Sequence, residues 1–387
     1  MQKKHITLIV VFNIFLILAW SLIVWRAVND KLDSLGNSIT STVWTQVNDI
    51  KKSDILAIQS SIVHSLASAQ QSVVSIMISK DVKFYIEDPS QVNGPGSIQQ
   101  QTAKVWWWSG IIVSKQGYIL TNKHVVQDTA AKYGVTLSNG KTYNVDKIWF
   151  DDLLDLAILR IIDSQGKLPT DLVPASLLSL DTQVDIGQFT FVIGNSLSNY
   201  ANSVTMGIIW GKNKQLTINK NNLYVWLYQT DAQANPGNSG GPLLDINGNT
   251  LWITTAIAEG EGMTFALPIS KEFVAGIIKS IENFWKIARP IIGIQYVNIT
   301  PTLKQEKKLT VDNWIFITDV LTDLPAAQAW LKVWDSVLSI NGEKINNQLP
   351  FLYQLYTYVP GDQITLDIVR NGEEMKFNVL LWWKTQQ

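Results

Sequence analysis

The pattern of apolar and polar residues changes several times along the chain. The first pattern is a continuous apolar run near the N-terminus. Residues 6–25 contain no charged side chain, and this length is about what a helix needs to cross a bilayer. Lys3 and Lys4 precede the run, which favours a cytoplasmic N-terminus. The pattern predicts a transmembrane signal-anchor within residues 1–28.

The same run has a second interpretation, a signal peptide that is removed. Such peptides have a shorter apolar segment and end in a small-x-small site, and no good site follows Trp20. Arg26 and Lys31 lie just beyond the run and weaken the charge asymmetry across it. The sequence favours the uncleaved anchor and leaves cleavage as the alternative.

Residues 29–71 are mostly polar and carry apolar side chains at intervals of three and four: Leu32, Leu35, Ile39, Val43, Val47 and Ile50. This spacing fits an amphipathic helix that acts as a spacer or as a short coiled coil between protomers. A loosely ordered stalk fits the polar composition equally well.

From residue 72 the pattern changes to short apolar runs separated by turn residues. The runs that are typical of strands are 73–78, 110–114, 118–121, 133–137, 145–150, 156–162, 189–193, 204–210, 223–229, 242–245, 251–258 and 263–268. Many short strands of this kind predict a sandwich or a barrel. Residues 81–105 contain Pro89 and Gly94-Pro95-Gly96, which predict a long surface loop. Residues 270–284 are predicted to form a closing helix.

Composition excludes several classes of partner and cofactor. The net charge is −1, so nothing suggests a nucleic-acid partner. The chain has no cysteine and only three histidines, which are far apart and leave too few ligands for a zinc site. We therefore expect no metal and no cofactor. The 16 tryptophans outnumber the 12 phenylalanines and 11 tyrosines, although tryptophan is normally the scarcest aromatic residue.

The densest cluster of glycines encloses a serine, in Gly237-Asn238-Ser239-Gly240-Gly241. Glycine lets the backbone turn sharply and approach a substrate closely. A nucleophilic serine needs this freedom, because two backbone N–H groups must point at the developing oxyanion. Pro236 fixes φ just before the turn. A glycine-rich hairpin turn that happens to contain a serine is the alternative.

The positions of the histidines support a nucleophilic role for this serine. His5 precedes the apolar run, His64 lies in a polar, helix-like stretch, and His124 follows a strand-like run. No histidine follows Ser239, so the chain order of the α/β-hydrolases is impossible. A histidine before the serine is instead the chymotrypsin-type order.

The third member of such a triad is expected between the histidine and the serine. Asp155 is a lone acid within the apolar run 153–159, where an unpaired carboxylate would be costly. The imidazole of His124 would be a suitable partner for it. Asp151 and Asp152 are alternatives on the preceding turn, and both are expected to face solvent.

The segments TNKHVV, LLDLAIL and NPGNSGGPL resemble those of the HtrA (Deg) family of serine proteases. The resemblance runs from about residue 72 to the C-terminus. It implies a mainly β fold, with a chymotrypsin-like pair of six-stranded barrels in residues 72–286 and the active site between them. A PDZ domain of the α+β class would follow in residues 287–387, and a transmembrane helix would precede the barrels.

The resemblance also implies the chemistry of a serine endopeptidase. Ser239 would attack the peptide carbonyl, His124 would carry the proton, and Asp155 would orient the imidazole. The backbone N–H groups of Gly237 and Ser239 would form the oxyanion hole, with Asn238 shaping the turn between them.

Residues before the nucleophile are expected to set the specificity. The position six residues before Ser239 carries the acid in trypsin-like enzymes that prefer basic side chains, but here it is Gln233, followed by Ala234. A basic P1 side chain would therefore lack a counter-ion. With Ile257 on the opposite wall, we expect small or medium aliphatic P1 side chains.

The C-terminal region resembles a PDZ domain. Ile291-Ile292-Gly293-Ile294 fits its carboxylate-binding loop, in which backbone N–H groups meet a peptide's terminal carboxylate. An ordinary edge strand is the alternative for these residues. Residues 323–331 and 350–358 fit the two helices, and residues 364–380 fit a closing hairpin around Asn371-Gly372.

These observations predict an endopeptidase tethered to the cell (inner) membrane through residues 6–25, with both domains in the periplasm or outside the cell. Its partners would be misfolded or signalling proteins, or polypeptides with an exposed C-terminus that the PDZ domain binds. The family resemblance implies a homotrimer. A membrane-anchored PDZ scaffold without catalytic activity is the rival interpretation.

Several tryptophans lie where similar HtrA sequences tend to have glycine. The positions are Trp106, Trp107, Trp108, Trp149, Trp210, Trp252, Trp285, Trp314, Trp330 and Trp334, and less clearly Trp226. Translation of UGA as tryptophan, for a lineage that reads it as glycine, would produce this pattern. A protein that is naturally rich in tryptophan is the alternative.

Overall fold

The computed structural model describes residues 20–34, 52–86, 97–196, 200–219, 222–235, 237–258, 262–307, 315–346 and 350–383. The chain divides into two compact units, Met1–Val63 and His64–Gln387. Residues 20–34 form helix α1, and α2 spans Lys52–Gln70. No helix in the described ranges is long and apolar enough to cross a membrane. Residues 6–19 of the predicted anchor lie outside those ranges.

The first barrel is closed by six strands in the order β1-β2-β3-β6-β5-β4. Its strands are β1 (Val73–Ile86), β2 (Ser97–Ile112), β3 (Tyr118–Thr121), β4 (Lys132–Thr136), β5 (Thr142–Phe150) and β6 (Ala157–Ile162), with the short helix α3 (Lys123–Val126) after β3. The loop predicted for residues 81–105 is wrong at both ends, because β1 and β2 pair as far as Ile86 and Ser97. Pairing in a ladder satisfies backbone groups whatever the polarity of the side chains.

The second barrel repeats this plan in the order β10-β11-β12-β9-β8-β7. Its strands are β7 (Phe189–Ser196), β8 (Tyr200–Asn219), β9 (Asn222–Thr230), β10 (Pro242–Leu244), β11 (Thr250–Ala258) and β12 (Met263–Pro268). The predicted closing helix is present as α4 (Lys271–Phe284). It begins at Ser270, whose side chain accepts a hydrogen bond from the N–H of Phe273, as N-cap serines do.

Each barrel is filled by side chains that alternate along its strands and point inward. The fully buried side chains include Ile76, Ile119 and Leu159 in the first barrel and Val192 and Ile209 in the second. The two closed six-stranded barrels confirm the predicted chymotrypsin-like arrangement.

Within His64–Gln387, the part that follows the barrels forms an α+β unit of short elements. They are β13 (Pro290–Ile291), β14 (Ile294–Asn298), α5 (Pro301–Lys307), β15 (Ile315–Val320), α6 (Pro325–Gln328), β16 (Ser336–Ile340), β17 (Glu343–Lys344), α7 (Phe351–Leu355), β18 (Gln363–Arg370), β19 (Glu373–Leu380) and β20 (Trp382–Trp383). The main sheet has the order β14-β15-β16-β18-β19, so β14 is an edge strand. The predicted hairpin is present, with Arg370 paired to Glu373 across its turn.

A buried ion pair joins this unit to the barrels. Nε of Arg289 donates to Oδ2 of Asp151 at 2.8 Å, and Nη1 donates to the carbonyl oxygen of Tyr356 at 3.0 Å. The ring of Tyr353, from α7, stacks on Phe273 of α4 with 5.0 Å between centroids. The C-terminal unit is therefore packed against the first barrel at Asp151 and against helix α4 at Phe273.

Four tryptophans have a backbone conformation that favours glycine. Trp226, Trp285, Trp330 and Trp334 have φ values of 61°, 56°, 63° and 81°. In the described ranges, the remaining non-glycine residues with positive φ are asparagines and one aspartate, the residues that tolerate this region best. A large side chain with positive φ is a genuine outlier.

Candidate active site

A single carboxylate holds His124 at two points. Nδ1 of the His124 ring lies 2.7 Å from Oδ2 of Asp155, and the backbone N–H of His124 donates to Oδ1 at 3.0 Å. The Asp155 side chain is 8% exposed and the His124 side chain 30%. The carboxylate is thus shielded while the imidazole keeps access to solvent, which is the arrangement a general base requires.

The turn that carries Asp155 is itself fixed by a buried asparagine. Nδ2 of Asn122 donates to the carbonyl oxygen of Asp155 at 3.0 Å and to Oγ1 of Thr255, in β11 of the second barrel, at 3.1 Å. Tyr224 of β9 lies near the same carboxylate. Burial, together with the charge of Asp155 and a hydrogen bond to it, raises the pKa of Tyr224 to about 12. Groups from both barrels therefore support the acid.

The loop that contains Ser239 is bound by backbone hydrogen bonds on two sides. The carbonyl oxygen of Ser239 accepts from the N–H of Ser109 in β2 at 3.1 Å, and the N–H of Gly240 donates to the carbonyl oxygen of Thr254 in β11 at 2.9 Å. Gly240 has φ +83°, and a Cβ there would lie 2.2 Å from the carbonyl oxygen of Ser109. Only glycine fits this position.

Two backbone N–H groups of the loop remain available as donors. Within the part of the chain that the structure describes, the N–H groups of Gly237 and Ser239 donate to no protein acceptor, whereas that of Asn238 donates to the carbonyl oxygen of Asn235 at 3.0 Å. Gly237 has φ 101°, a conformation that glycine adopts without steric cost. The Asn238 side chain is 1% exposed and lies against Gly194, where a Cβ would meet its Oδ1.

The structure brings His124 and Asp155 into direct contact and links both the histidine and the serine loop to strand β2. The ring of Trp108 meets the imidazole edge to face, with 5.8 Å between centroids. Trp108 directly precedes Ser109, which binds the carbonyl oxygen of Ser239. One strand, β2, therefore contacts both the histidine and the serine loop.

Neither alternative acid faces the histidine. Asp151 is fully buried and binds Arg289 through Oδ2, and its Oδ1 accepts from the N–H groups of Leu153 and Leu154 at 2.9 and 3.0 Å. The expectation that Asp151 faces solvent is wrong, because the guanidinium supplies the buried partner that its charge requires. Asp152 is exposed.

The residues predicted to set specificity lie on the segment between β9 and the serine loop and on β11. Gln233 is exposed, and its carbonyl oxygen accepts from Oγ1 of Thr205 at 2.6 Å. Ala234 is buried, and its N–H donates to Oγ1 of Thr264 at 3.0 Å. Ile257 pairs with Thr264 in the β11–β12 ladder, and its side chain lies outside what the structure describes.

The predicted carboxylate loop lines a cavity of about 970 Å³ in the C-terminal unit. The lining includes Ile291, Ile292, Gly293 and Ile294 from the loop and Phe351 and Leu355 from α7. Gly293 has φ +87°, and a Cβ there would lie 2.4 Å from Cβ of Leu324. Edge strand β14 begins directly after this glycine, so an extended peptide has a free sheet edge beside the cavity.

Several polar residues that hold the site together were not predicted from the sequence. Ser109 and Thr121 are buried polar residues in strands of the first barrel, and Asn122 directly follows one of them. Polar residues at buried strand positions next to His124 are the signal that could have identified them, since buried polar groups are normally hydrogen-bonded.

No metal centre is found in the ranges that the structure describes, where no group of three or more His, Cys, Asp and Glu side chains could hold an ion.

Two parts of the chain match known protein families. Residues 108–251 match the family described as trypsin-like peptidase domain, and residues 290–381 match the PDZ domain. The solved structure described as "HtrA-type protease AlgW with decapeptide" is 26% identical with a TM-score of 0.56, and the match covers 84% of this chain and 99% of that one.

Curated relatives with higher sequence identity are also named as proteases. A protein of Chlamydia trachomatis named "Probable periplasmic serine endoprotease DegP-like" is 33% identical over 276 residues, which cover 70% of this chain and 53% of the relative. "Protease Do-like 1, chloroplastic" of Arabidopsis thaliana is 33% identical over 289 residues, which cover 70% of this chain and 63% of the relative. The chain thus spans little more than half the length of these relatives.

Proposed function

The chain belongs to the HtrA/DegP family of serine proteases, with a trypsin-like domain and one PDZ domain, and we propose that it is a serine endopeptidase that uses His124, Asp155 and Ser239. The observation that carries this proposal is the two-point contact of Asp155 with His124. The contact fixes the ring in the orientation and the tautomer that a general base needs.

The reaction would proceed in two halves. Oγ of Ser239 attacks the peptide carbonyl carbon while Nε2 of His124 takes the hydroxyl proton, and the N–H groups of Gly237 and Ser239 stabilise the oxyanion. The imidazolium then gives this proton to the leaving amine. Water, activated by the same imidazole, hydrolyses the acyl-enzyme and returns the serine to its starting state.

Specificity at P1 is proposed to come from Gln233, Ala234 and Ile257. Gln233 brings no negative charge to the segment before the nucleophile, so a basic P1 side chain would lose hydration without gaining an ion pair. Small or medium aliphatic side chains are therefore the expected P1 residues.

The PDZ domain is proposed to bind unfolded polypeptides or polypeptides with an exposed apolar C-terminus. The terminal carboxylate would meet the N–H groups of the loop Ile291-Ile292-Gly293-Ile294, and the peptide would add a strand to β14. The decapeptide in the solved structure of the HtrA-type protease AlgW supports a peptide ligand for this family.

We further propose that the catalytic and PDZ domains lie outside the cytoplasm, anchored in the inner membrane by residues 6–25, and that three chains associate. The name of the Chlamydia trachomatis relative includes "periplasmic", which supports an extracytoplasmic site. Protease added to intact spheroplasts should digest residues 72–387. Full protection of this part, or a soluble protein that begins near Ala27, would contradict the proposed topology.

Labelling with a fluorophosphonate probe tests the catalytic proposal. The wild-type protein should be labelled and should cleave casein, whereas Ser239→Ala should do neither and should stay folded, because a hydroxyl on a loop contributes little to stability. The rival PDZ scaffold predicts that neither protein is labelled. Residual cleavage of casein by Ser239→Ala would contradict the assignment of the nucleophile.

A further inference from the structure

Ser109 links the first barrel to the nucleophile loop of the second barrel through two hydrogen bonds. Its Oγ donates to the carbonyl oxygen of Gly237 at 2.8 Å, and its N–H donates to the carbonyl oxygen of Ser239 at 3.1 Å. The Ser109 side chain is fully buried. Both acceptors belong to the two residues whose N–H groups form the proposed oxyanion hole.

Ser109 is itself held on the first barrel. Its carbonyl oxygen accepts from Oγ1 of Thr121 at 2.9 Å, and Thr121 is also fully buried. The next residue, Asn122, binds the carbonyl oxygen of Asp155. The same few residues of the first barrel therefore position the catalytic acid and the serine loop.

Hydrogen bonds hold the two peptide planes that precede Ser239 in the loop. The plane between Gly237 and Asn238 is held by Ser109 Oγ at its carbonyl and by Asn235 at its N–H. The plane between Asn238 and Ser239 is held at its carbonyl by the N–H of Gly241, at 2.8 Å. Because C=O and N–H point in opposite directions in a trans peptide, this contact turns the N–H of Ser239 away from Gly241.

Gly237 is the weakest point of this arrangement. Glycine populates many backbone conformations, so its own φ of 101° does not keep the loop in one shape. The side-chain bond from Ser109 holds the carbonyl of Gly237 and thereby restricts rotation about ψ of this glycine, which links that carbonyl to the peptide plane that carries the N–H of Gly237. Rotation at Gly237 would remove one of the two oxyanion donors.

We propose that Ser109 is a positioning residue for the oxyanion hole, acting through its hydroxyl on the carbonyl of Gly237. This inference rests on the proposed endopeptidase activity. It assigns to the first barrel a direct part in shaping the oxyanion hole, which is built on the loop of the second barrel. Ser109 itself touches neither the substrate nor the reacting atoms.

The test compares Ser109→Ala with the wild type in the full chain. The number of active sites is first titrated with fluorophosphonate, and kcat and KM are then measured on one fluorogenic peptide. We expect kcat per titrated site to fall about 10- to 100-fold, below or near the loss seen when one oxyanion donor is removed. KM should stay within about twofold, since ground-state binding does not use the hole.

Ser280→Ala is the matched control. Ser280 is a buried serine of α4, and its Oγ accepts from the N–H of Ala288 at 2.7 Å and donates to the carbonyl oxygen of Lys286 at 2.9 Å. The variant loses comparable hydrogen bonds far from the loop. It should lower the melting temperature without changing kcat per titrated site.

The outcomes separate the inference from the proposal on which it rests. If the wild type is not labelled, the endopeptidase proposal fails. If the wild type is labelled but Ser109→Ala keeps its kcat per site within about twofold, the positioning role is wrong and the endopeptidase stands. An equal loss of kcat per site in Ser280→Ala would also overturn the positioning role, because the effect would then be general.

Discussion

The carboxylate of Asp155 binds both the ring and the backbone of His124, with Oδ2 at 2.7 Å from Nδ1 and Oδ1 at 3.0 Å from the backbone nitrogen. One side chain thus sets the position of the residue as well as the orientation of its imidazole. The histidine follows β3 and the aspartate precedes β6, and these strands are paired from Tyr118 to Thr121. The β3–β6 ladder therefore fixes the separation of the two residues.

Replacing Asp155 with asparagine should nearly abolish catalysis while the fold stays intact. The amide keeps the size of the side chain but offers a donor to Nδ1, which favours the wrong tautomer of His124, so kcat is expected to fall about 10⁴-fold. The rate of peptide hydrolysis and the melting temperature are the measurements. Asp152→Asn, an exposed change three residues earlier, is the control and should keep wild-type kcat. Similar rates for both variants would exclude Asp155 from the triad.

Peptide binding by the PDZ domain should depend on Gly293. Gly293→Ala places a methyl group 2.4 Å from Cβ of Leu324 at φ +87°, so the loop must shift and affinity for an apolar C-terminal peptide should fall about tenfold or more. Gly372→Ala has the same φ but meets no atom within 4 Å. It controls for backbone strain and should bind like the wild type. Calorimetry with acid and amidated peptides tests the mode, and equal affinity for both would refute carboxylate binding.

The ion pair between Arg289 and Asp151 should contribute far more to stability than a partly exposed one. Arg289→Met leaves the carboxylate of Asp151 buried without its partner, and the free energy of unfolding should fall by about 3–5 kcal/mol. Arg160→Met removes a pair with Asp146 whose side chains are 27% and 20% exposed. Its loss should cost about 1 kcal/mol or less. Denaturant unfolding measures the free energy of unfolding of both variants. Equal decreases in the two variants would contradict the prediction.

The tryptophans with positive φ are predicted to be glycine in the native protein. Trp330 and Trp334 are 75% and 71% exposed, so their side chains bury little area to offset the strain of a left-handed backbone. Trp330→Gly and Trp334→Gly should each raise the free energy of unfolding by about 1 kcal/mol. Trp252→Gly is the control, because Trp252 is buried and stacks on Tyr228 at 4.2 Å. The free energy of unfolding of Trp252→Gly should be about 3–5 kcal/mol lower than that of the wild type.

The codons give the direct test of this prediction. UGA at Trp226, Trp285, Trp330 and Trp334 is expected if the source lineage reads UGA as glycine. UGG codons at Trp330 and Trp334 would contradict the prediction of glycine. Mass spectrometry of the native protein that shows tryptophan at these positions would contradict it as well. The other suspected tryptophans in the described ranges lie in strands without positive φ, so their backbones do not support glycine: Trp106, Trp107, Trp108, Trp149, Trp210 and Trp252. Trp314 lies outside the described residues.

Asp367 should give the PDZ domain a small pH dependence. Hydrogen bonds from Lys376 and from Ser339 lower the pKa of this carboxyl below 3.8. A lowered pKa stabilises the fold above the unfolded value, and the contribution is lost as pH falls through the folded pKa. Asp367→Asn should therefore be less stable than the wild type at pH 7, and the difference should shrink below about pH 4. A constant difference in melting temperature across this range would contradict the assignment.

The contact between His124 and Asp155 was predictable from local sequence. The sequence contains three short patterns: a serine among glycines, one histidine upstream of it, and one acid in an apolar run. Each pattern indicates that the residue needs a particular backbone shape or a charged partner. The many short strands and the hairpin at Asn371-Gly372 were also predictable, because strand periodicity and turn residues act over a few positions, whereas the pairing of the strands into two barrels was implied only by the family resemblance. The strands on either side of residues 87–96 were missed, because their pairing does not depend on apolar side chains.

Tertiary structure alone decided which distant residues meet. Ser109 reaches Gly237 across 128 positions, and Arg289 reaches Asp151 across 138. No local pattern specifies such a contact, because it depends on how two barrels and a third unit pack. The sequence showed that Asp155 needed a partner and that Ser239 needed a tight turn. Only the packed structure shows that the first barrel holds the serine loop through Ser109, and that Asp151 is satisfied by Arg289, because a buried polar group takes its partner from whatever packing brings within reach.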